Sequence, residues 1–218
     1  MSQPGLGEFQ LEIATVFFTL PESKGFLLAG GGALIAQGLV ARLTEDLDFF
    51  TARDSGSVEA ASDAFVAAAL AHGWAVELLR TGPEFRRWSI TGPETVLVDL
   101  AVDTPPRGVP TLTTAGPCIA PEELAARKLL ALFGRAEPRD FIDVYVLNKL
   151  FEPHITLLRA AESDPGFNVP MFVETLRSHR RIDDGDFPGI DVAISDIRAY
   201  FDSWAESLSR HPRSDEGP

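Results

Sequence analysis

Apolar positions in the first half of the chain recur with two periods, a helical period near 3.6 residues and the two-residue alternation of short strands. Helices are predicted at residues 7–20, 33–42 and 57–71, the last with Ser57 as its cap. Strands are predicted at residues 26–29, 47–50, 74–80, 85–91 and 95–102. This order of elements indicates an α+β fold, with a sheet flanked by helices.

After a Pro-rich break at residues 103–110, the pattern becomes helical from Pro121 onward. Proline suits the first turn of a helix, and the acidic residues that follow it favour the positive end of the helix dipole. Further helices are predicted at residues 140–150, 170–179 and 191–208. The expected organisation is a core domain at 1–115, a helical C-terminal domain at 116–210 and a disordered tail at 211–218.

Charge and cysteine content narrow the classes of protein to which the chain can belong. With 32 acidic against 19 basic side chains, the net charge of −13 disfavours a sequence-blind nucleic-acid binder, so a polynucleotide partner must meet local basic patches. The only cysteine is Cys118, which excludes a disulfide framework and suits a reducing cytoplasm. Residues 1–20 lack signal-peptide features, and glycines interrupt the apolar stretch at 25–41, so no membrane segment is expected.

Three consecutive glycines, Gly30-Gly31-Gly32, follow the first predicted strand and precede a helix. Backbone N–H groups at such a helix start can bind phosphate, and the missing side chains let a ligand approach closely. Tight strand-to-helix turns also need glycine for purely conformational reasons, so the run alone leaves both interpretations open. It matches neither the dinucleotide-binding motif nor the P-loop.

Asp46 and Asp48 alternate with Leu47 and Phe49, so both carboxylates fall on one strand face, roughly 7 Å apart. Like charges at this spacing repel each other unless a hard cation lies between them, and oxygen ligands favour Mg²⁺ or Mn²⁺. An acidic loop bathed in water would explain Asp46 but not Asp48, which stands among apolar residues. We therefore interpret the pair as metal ligands.

Asp99 is a conspicuous acid in the apolar segment 95–102. If this strand lies beside the one that carries Asp48, Asp99 completes a three-carboxylate cluster, as a metal ligand or as the proton acceptor for an attacking hydroxyl. The alternative is a strand-end aspartate bonded to backbone. Asp103 shares the same face but lies roughly 13 Å along the strand, too far for the same ion.

Lys128 lies on an apolar helical stripe with Leu124 and Leu132, one turn to either side. A lysine in this position either binds an anion or extends its ammonium group to water. In the following segment Asp140 is expected to cap the next helix, whereas Asp143, one turn later among apolar residues, is the stronger candidate for an active-site acid.

These residues resemble the nucleotidyltransferase superfamily related to DNA polymerase β. The similarity lies in Gly30-Gly31 with Ala33-Leu34, then in Arg42-x-Thr44-x-Asp46-Leu47-Asp48-Phe49-Phe50. A closer similarity is to the AbiEii/MenT branch of toxin-type nucleotidyltransferases, whose later motifs correspond to residues 121–128 and 139–143. The similarity spans residues 26–150. It departs from the family at Gly32, where a threonine is common, so a side-chain contact to phosphate is missing there.

The resemblance implies a polymerase β-like core, in which helices flank a mixed sheet. This core is implied to transfer an NMP group from an NTP to an acceptor hydroxyl, with Mg²⁺ or Mn²⁺ as cofactor. It implies that Lys128 holds the nucleotide's phosphates and that either Asp140 or Asp143 is essential. The residues expected to contact the nucleotide are Gly30, Gly31, Gly32, Arg42, Thr44, Lys128, Arg139 and Asp140. Those expected to act in catalysis are Asp46, Asp48, Asp99, Lys128 and Asp143.

The implied acceptor is the 3′ end of tRNA, and the implied biological role is that of a toxin with a cognate antitoxin. Two basic clusters, Arg86-Arg87 and residues 177–181, are candidate phosphate contacts, or else solvated surface arginines. Other functions also fit the sequence: an NTP-binding module without transfer activity, or a nucleotidyl- or phosphotransferase that acts on a protein or a small molecule.

Overall fold

The computed structural model describes residues 5–188 and 192–210. The strands in this part of the chain form one mixed sheet with the order β3-β4-β5-β2-β1-β7-β6. They are β1 (Phe26–Ala29), β2 (Asp46–Ala52), β3 (Ala75–Gly82), β4 (Phe85–Thr91), β5 (Thr95–Asp103), β6 (Thr111–Thr113) and β7 (Gly116–Cys118). The helices are α1 (Glu8–Thr19), α2 (Gly30–Ala36), α3 (Val58–Ala71), α4 (Pro121–Arg135), α5 (Pro138–Leu150), α6 (Pro153–Ser163), α7 (Val169–Arg177) and α8 (Ile194–Arg210).

Two compact units divide the chain after Leu124, later than the boundary predicted after residue 115. The difference arises because β7 pairs with β1 through Leu28 and Cys118, which joins the segment after 115 to the sheet. All seven described strands therefore lie in the first unit.

The core of the first unit forms on the sheet face that receives the apolar residues of β2. Leu47 and Phe49 are fully buried, and the Phe49 ring stacks on Phe17 of α1 with centroids 4.1 Å apart. Burial of a side chain of this size contributes roughly 1.5–3 kcal/mol. Trp88 on β4 faces the same side, where its indole N–H donates to Ser62 Oγ of α3 at 3.0 Å. Because side chains alternate along a strand, Asp46 and Asp48 project from the opposite face.

The second unit is helical, and its core collects apolar residues from α4 to α8. The largest fully buried side chains in it are Phe141, Phe172 and Phe201. Edge-to-face contacts join these aromatic rings to their neighbours, as between Phe141 and Phe201, whose centroids are 5.0 Å apart.

Most of the predicted elements are confirmed, including the α+β fold with a mixed sheet, the bounds of β1 and β4, and the Ser57 cap. Ser57 Oγ accepts a hydrogen bond from Ala60 N at 3.2 Å. The helix predicted at 33–42 is wrong in its bounds, because the glycines themselves form the first turn of α2 and a left-handed Gly38 follows its end. The sequence pattern predicts neither α6 nor the short strands β6 and β7.

The disordered tail predicted at 211–218 lies outside the described residues, as does Asp191, the predicted start of the last helix. In the described part of the chain, no helix combines the length and apolar character that a membrane crossing needs.

Candidate active site

Asp46 and Asp48 lie on β2, and both are half-buried on the sheet face opposite Leu47 and Phe49. Thr44 Oγ1 donates a hydrogen bond to Asp46 Oδ1 at 2.6 Å, which fixes one carboxylate oxygen of the pair. The predicted placement of two carboxylates on one strand face is thus confirmed by the alternating burial of β2.

Gly30 leaves room for the carboxylate of Asp48. Its φ is +58°, in the left-handed region, and a Cβ placed on it would lie 2.7 Å from Asp48 Cγ. The strands explain this proximity, since Ala29 of β1 is paired with Asp48 of β2. The glycine is therefore required both for its backbone conformation and for the close approach of an acidic side chain.

Arg42 and Thr44 flank the next glycine of the turn. A Cβ on Gly31 would lie 2.9 Å from Arg42 Nη2 and 3.1 Å from Thr44 Oγ1. Arg42 is only 6% exposed, and its Nη1 donates to the Leu43 carbonyl at 2.9 Å. The structure thus brings together the glycines, Arg42, Thr44 and the Asp46/Asp48 pair, as the sequence predicted.

Asp99 lies directly opposite Asp48, because β5 runs parallel to β2 in the register Asp48↔Asp99. The condition set by the sequence, that the two strands are neighbours, is therefore confirmed. Asp99 is 5% exposed. Residues paired across a ladder project from the same face of a sheet, so three carboxylates share this part of the sheet.

Arg87 is the residue of this cluster that the sequence does not connect with the aspartates. It comes from β4, where it is paired with Asp99. Its Nε donates to Asp99 Oδ1 at 2.7 Å and its Nη2 to Asp99 Oδ2 at 2.5 Å. Such a two-point contact fits the planar guanidinium group. Only the strand register could reveal this partner, since twelve residues separate Arg87 from Asp99 along the chain.

The charge of Arg87 is stabilised by the whole cluster. Its hydrogen bonds to Asp99 raise the pKa of Arg87 above the usual value, against the opposing effect of burial. The negative charges of Asp46 and Asp48 raise the pKa of Arg87 further. One guanidinium group therefore lies in the field of three carboxylates.

Within the described residues, no group of three or more His, Cys, Asp or Glu side chains is arranged to hold a metal ion. The chemistry of the Asp46/Asp48 pair suits a hard cation, and its role as a metal site stays a prediction. At Asp99 the structure shows a guanidinium group on both oxygens, where the sequence predicts a metal ligand or a proton acceptor, or else an aspartate bonded to backbone.

In the second unit, Lys128 Nζ lies 2.8 Å from Asp143 Oδ2. The lysine side chain is 8% exposed and the aspartate side chain is fully buried. The alternative of an ammonium group extended into water is therefore wrong for Lys128. The role predicted for the two residues in phosphate binding and catalysis stays a prediction.

The prediction that Asp140 caps a helix is wrong. Helix α5 begins at Pro138 after Glu137, and Asp140 is fully buried in the first turn. Arg135 donates to both of its carboxylate oxygens, at 2.8 and 2.9 Å, while Arg139 donates to Glu137 at 2.8 Å. Pro138 sets the helix start, because its fixed φ suits the first position and it needs no partner for a backbone N–H.

The basic segment 177–181 is tied to acidic side chains of its own unit. Arg177 donates to Glu174 at 2.7 Å and Arg180 to Asp202 at 2.7 Å. His179 is 1% exposed, and its Nε2 lies 3.1 Å from the same Asp202. These contacts give the segment a structural role and weaken the prediction that it binds nucleic acid.

Solved structures of other proteins share this architecture. The toxin MenT4 from Mycobacterium tuberculosis has a TM-score of 0.60 at 16% identity, with 94% of this chain and 88% of that chain covered. A putative nucleotidyltransferase from Helicobacter pylori has a TM-score of 0.57 at 17% identity, over 98% and 100%. JHP933 from Helicobacter pylori has a TM-score of 0.55 at 16% identity, over 94% of both chains. The fold is therefore that of a nucleotidyltransferase.

The chain belongs to the AbiEii family, since the model of that family, described as the nucleotidyl transferase AbiEii toxin of a type IV toxin–antitoxin system, matches residues 15–213. It is accordingly a toxin-type nucleotidyltransferase, which confirms the family, the fold class and the enzyme class predicted from the sequence. No curated protein matches the chain.

Proposed function

We propose that this chain transfers an NMP group from a nucleoside triphosphate to the 3′ end of a tRNA, as the toxin of a toxin–antitoxin pair. The observation that carries the proposal is the position of Asp48, which lies against Gly30 on one side and opposite Asp99 on the other. A nucleotidyltransferase needs acidic side chains beside the segment that holds the triphosphate, and the Gly30 turn and β2 supply this combination.

Asp46 and Asp48 are the residues that would hold Mg²⁺ or Mn²⁺. Their side chains share a strand face, and carboxylate oxygens are the ligands that these ions prefer. When bound, the ion neutralises charge on the phosphoryl oxygens and on the leaving pyrophosphate.

The side chains around the glycine turn would position the triphosphate. The first-turn N–H groups of Gly31 and Gly32 lack helical partners, and the buried Arg42 brings a positive charge beside Gly31. In the reaction, the acceptor oxygen bonds to the α-phosphorus and the bond to the β-phosphate oxygen breaks. Pyrophosphate leaves, and the hydroxyl proton passes to a carboxylate or to water.

Lys128 and Asp143 are also proposed to be required for transfer. A buried lysine–aspartate pair adds little stability over apolar residues of the same size, because both charges lose their hydration. The presence of such a pair is therefore better explained by a role in binding or chemistry than by a role in folding.

Two labelled forms of each NTP test the reaction and the acceptor together. The protein is incubated with total RNA and an NTP labelled at the α or the γ phosphate. Label from the α position on tRNA, with release of pyrophosphate, supports the proposal. Transfer of the γ label would indicate a phosphotransferase, and α label found only on protein would exclude tRNA as the acceptor.

Expression in a bacterial host tests the proposed toxin role. Growth arrest by the wild-type chain but not by an Asp48→Asn variant is expected, with rescue by a cognate antitoxin. Normal growth with active enzyme in the cell would argue against a toxin.

A further inference from the structure

An aromatic ring with two guanidinium groups lies on the outer strands of the sheet. The Cζ atom of Arg80 is 5.6 Å from the centre of the Phe85 ring, and that of Arg87 is 6.0 Å from it. Arg80 is exposed, whereas Phe85 and Arg87 are half-buried. We refer to Arg80, Phe85 and Arg87 as the arginine–phenylalanine patch. Guanidinium groups at such distances are attracted to the face of the ring.

Strand pairing places this patch on the sheet face that carries the aspartates. Arg87 is paired with Asp99, which is paired with Asp48, and Phe85 lies two residues from Arg87 on β4. Alternation along a strand puts Phe85 and Arg87 on the same face. At the usual strand spacing and rise, the Cα of Phe85 is about 12 Å from that of Asp48. A few nucleotides of single-stranded RNA cover this distance.

The neighbouring basic residue Arg86 points away from the patch. Its guanidinium group donates to the carbonyl oxygens of Gly82 and Phe85. Arg53, just beyond β2, is exposed but forms an ion pair with Glu84 at 2.7 Å. Arg53 and Arg86 are thus held by local contacts, as Arg87 is by Asp99, whereas the exposed Arg80 lies beside the Phe85 ring.

We propose that the arginine–phenylalanine patch binds the acceptor as a single-stranded RNA end, with a base stacked on Phe85 and Arg80 directed at the phosphates. Stacking on an aromatic ring accepts any base, and a nearby guanidinium group strengthens it. Because Arg87 is already paired with Asp99, it is the positive charge of the exposed Arg80 that is complementary to the RNA backbone, despite the chain's net charge of −13. This inference rests on the proposed nucleotide transfer and adds the location of the acceptor.

The test measures binding of a fluorescent single-stranded RNA, about ten nucleotides long with a free 3′-hydroxyl, to the full chain over a range of salt concentrations. Phe85→Ala and Phe85→Leu should each weaken binding about tenfold, and Phe85→Trp should retain it. Arg80→Gln should lower the slope of log affinity against log salt by about 0.7, the effect of one lost phosphate contact on a single strand.

Arg53→Gln is the matched control, since it removes one exposed arginine from the same unit without touching the patch. It should bind RNA like the wild type. The Phe85 and Arg80 variants should bind Mn²⁺–NTP with unchanged affinity, which shows that they fold and keep the nucleotide site.

Wild-type RNA affinity in both Phe85→Ala and Arg80→Gln would overturn the inference, as would transfer of label to protein alone. Failure of the proposed function gives a different result, in which the wild-type chain neither binds Mn²⁺–NTP nor transfers label.

Discussion

The carboxylate of Asp48 lies where a side chain on Gly30 would stand, so the two positions depend on each other. A side chain at Gly30 would overlap the Oδ2 of Asp48, and the φ of +58° already disfavours any residue with a Cβ. The close approach of the Asp48 carboxylate therefore explains why a glycine stands at position 30. The position of that carboxylate in turn depends on the absence of a side chain there.

Gly30→Ala is expected to displace Asp48 and to abolish Mn²⁺–NTP binding, while unfolding becomes easier by about 1–2 kcal/mol. Gly73→Ala is the matched control, because Gly73 has a φ of +78° but open space where its Cβ would stand. Both variants should lose similar stability in urea unfolding, and only Gly30→Ala should lose nucleotide binding. Equal nucleotide binding in the two variants would show that Asp48 does not need this space.

Arg87 and Asp99 should be strongly coupled in a double-mutant cycle. Arg87→Gln leaves the buried Asp99 beside Asp46 and Asp48, so it should destabilise the fold by about 1–3 kcal/mol and by more than Asp99→Asn does. The double variant should be close to Asp99→Asn. Additive effects in urea unfolding would contradict the ion pair.

Divalent ions should partly restore the Arg87→Gln variant. Loss of the guanidinium group leaves three carboxylates on one sheet face, and a bound cation offsets their repulsion. The melting temperature of Arg87→Gln should therefore rise more with Mn²⁺ than that of the wild type. The absence of any Mn²⁺ effect on either protein would argue against a metal site at Asp46 and Asp48.

Removal of Asp143 should be more harmful to the fold than replacement of the whole pair. Asp143→Ala leaves the Lys128 ammonium buried without its carboxylate, at a cost of about 3–5 kcal/mol. The double variant Lys128→Met/Asp143→Leu should recover much of that stability because both charges are gone, yet it should remain inactive. A fully active double variant would limit the pair to a structural role.

The buried His179 should make stability depend on pH. Burial lowers the pKa of His179 below its usual 6.5, although Asp202 acts in the opposite direction. The unfolded state therefore binds a proton first, and stability is lost as the pH falls through 6.5. The slope is at most about 1.4 kcal/mol per pH unit. Urea unfolding between pH 7.5 and 5.5 should show this loss in the wild type and a flatter profile in His179→Phe.

The Asp46/Asp48 pair could be predicted from the sequence, because its alternation with Leu47 and Phe49 is visible within four consecutive residues. That Asp99 lies next to Asp48 could be predicted only on the assumption that their strands are neighbours, because the sequence does not give the strand order. Arg87 was missed because only the β4–β5 register pairs it with Asp99. Contacts between distant segments are set by the fold and leave no local pattern.

Prediction of the secondary-structure elements likewise succeeds only where the local sequence carries the signal. The predicted strand 85–91 has the observed bounds of β4, because Gly82-Pro83 and Gly92-Pro93 mark its two ends. Strands β6 and β7 contain three residues each, too few to show a period. Asp140 was misassigned as a cap because an acidic residue suits a helix start. Its fully buried position against Arg135 depends on tertiary packing.

Asp48→Asn tests the proposed chemistry most directly. The variant should keep the circular dichroism spectrum and unfolding profile of the wild type, but transfer of α-labelled NMP should fall by at least about 100-fold. Asp103→Asn, the same change at the end of β5, is the control and should transfer normally. A wild-type transfer rate in Asp48→Asn, measured with Mg²⁺ and the acceptor RNA, would contradict the assignment of Asp48 and with it the proposed site.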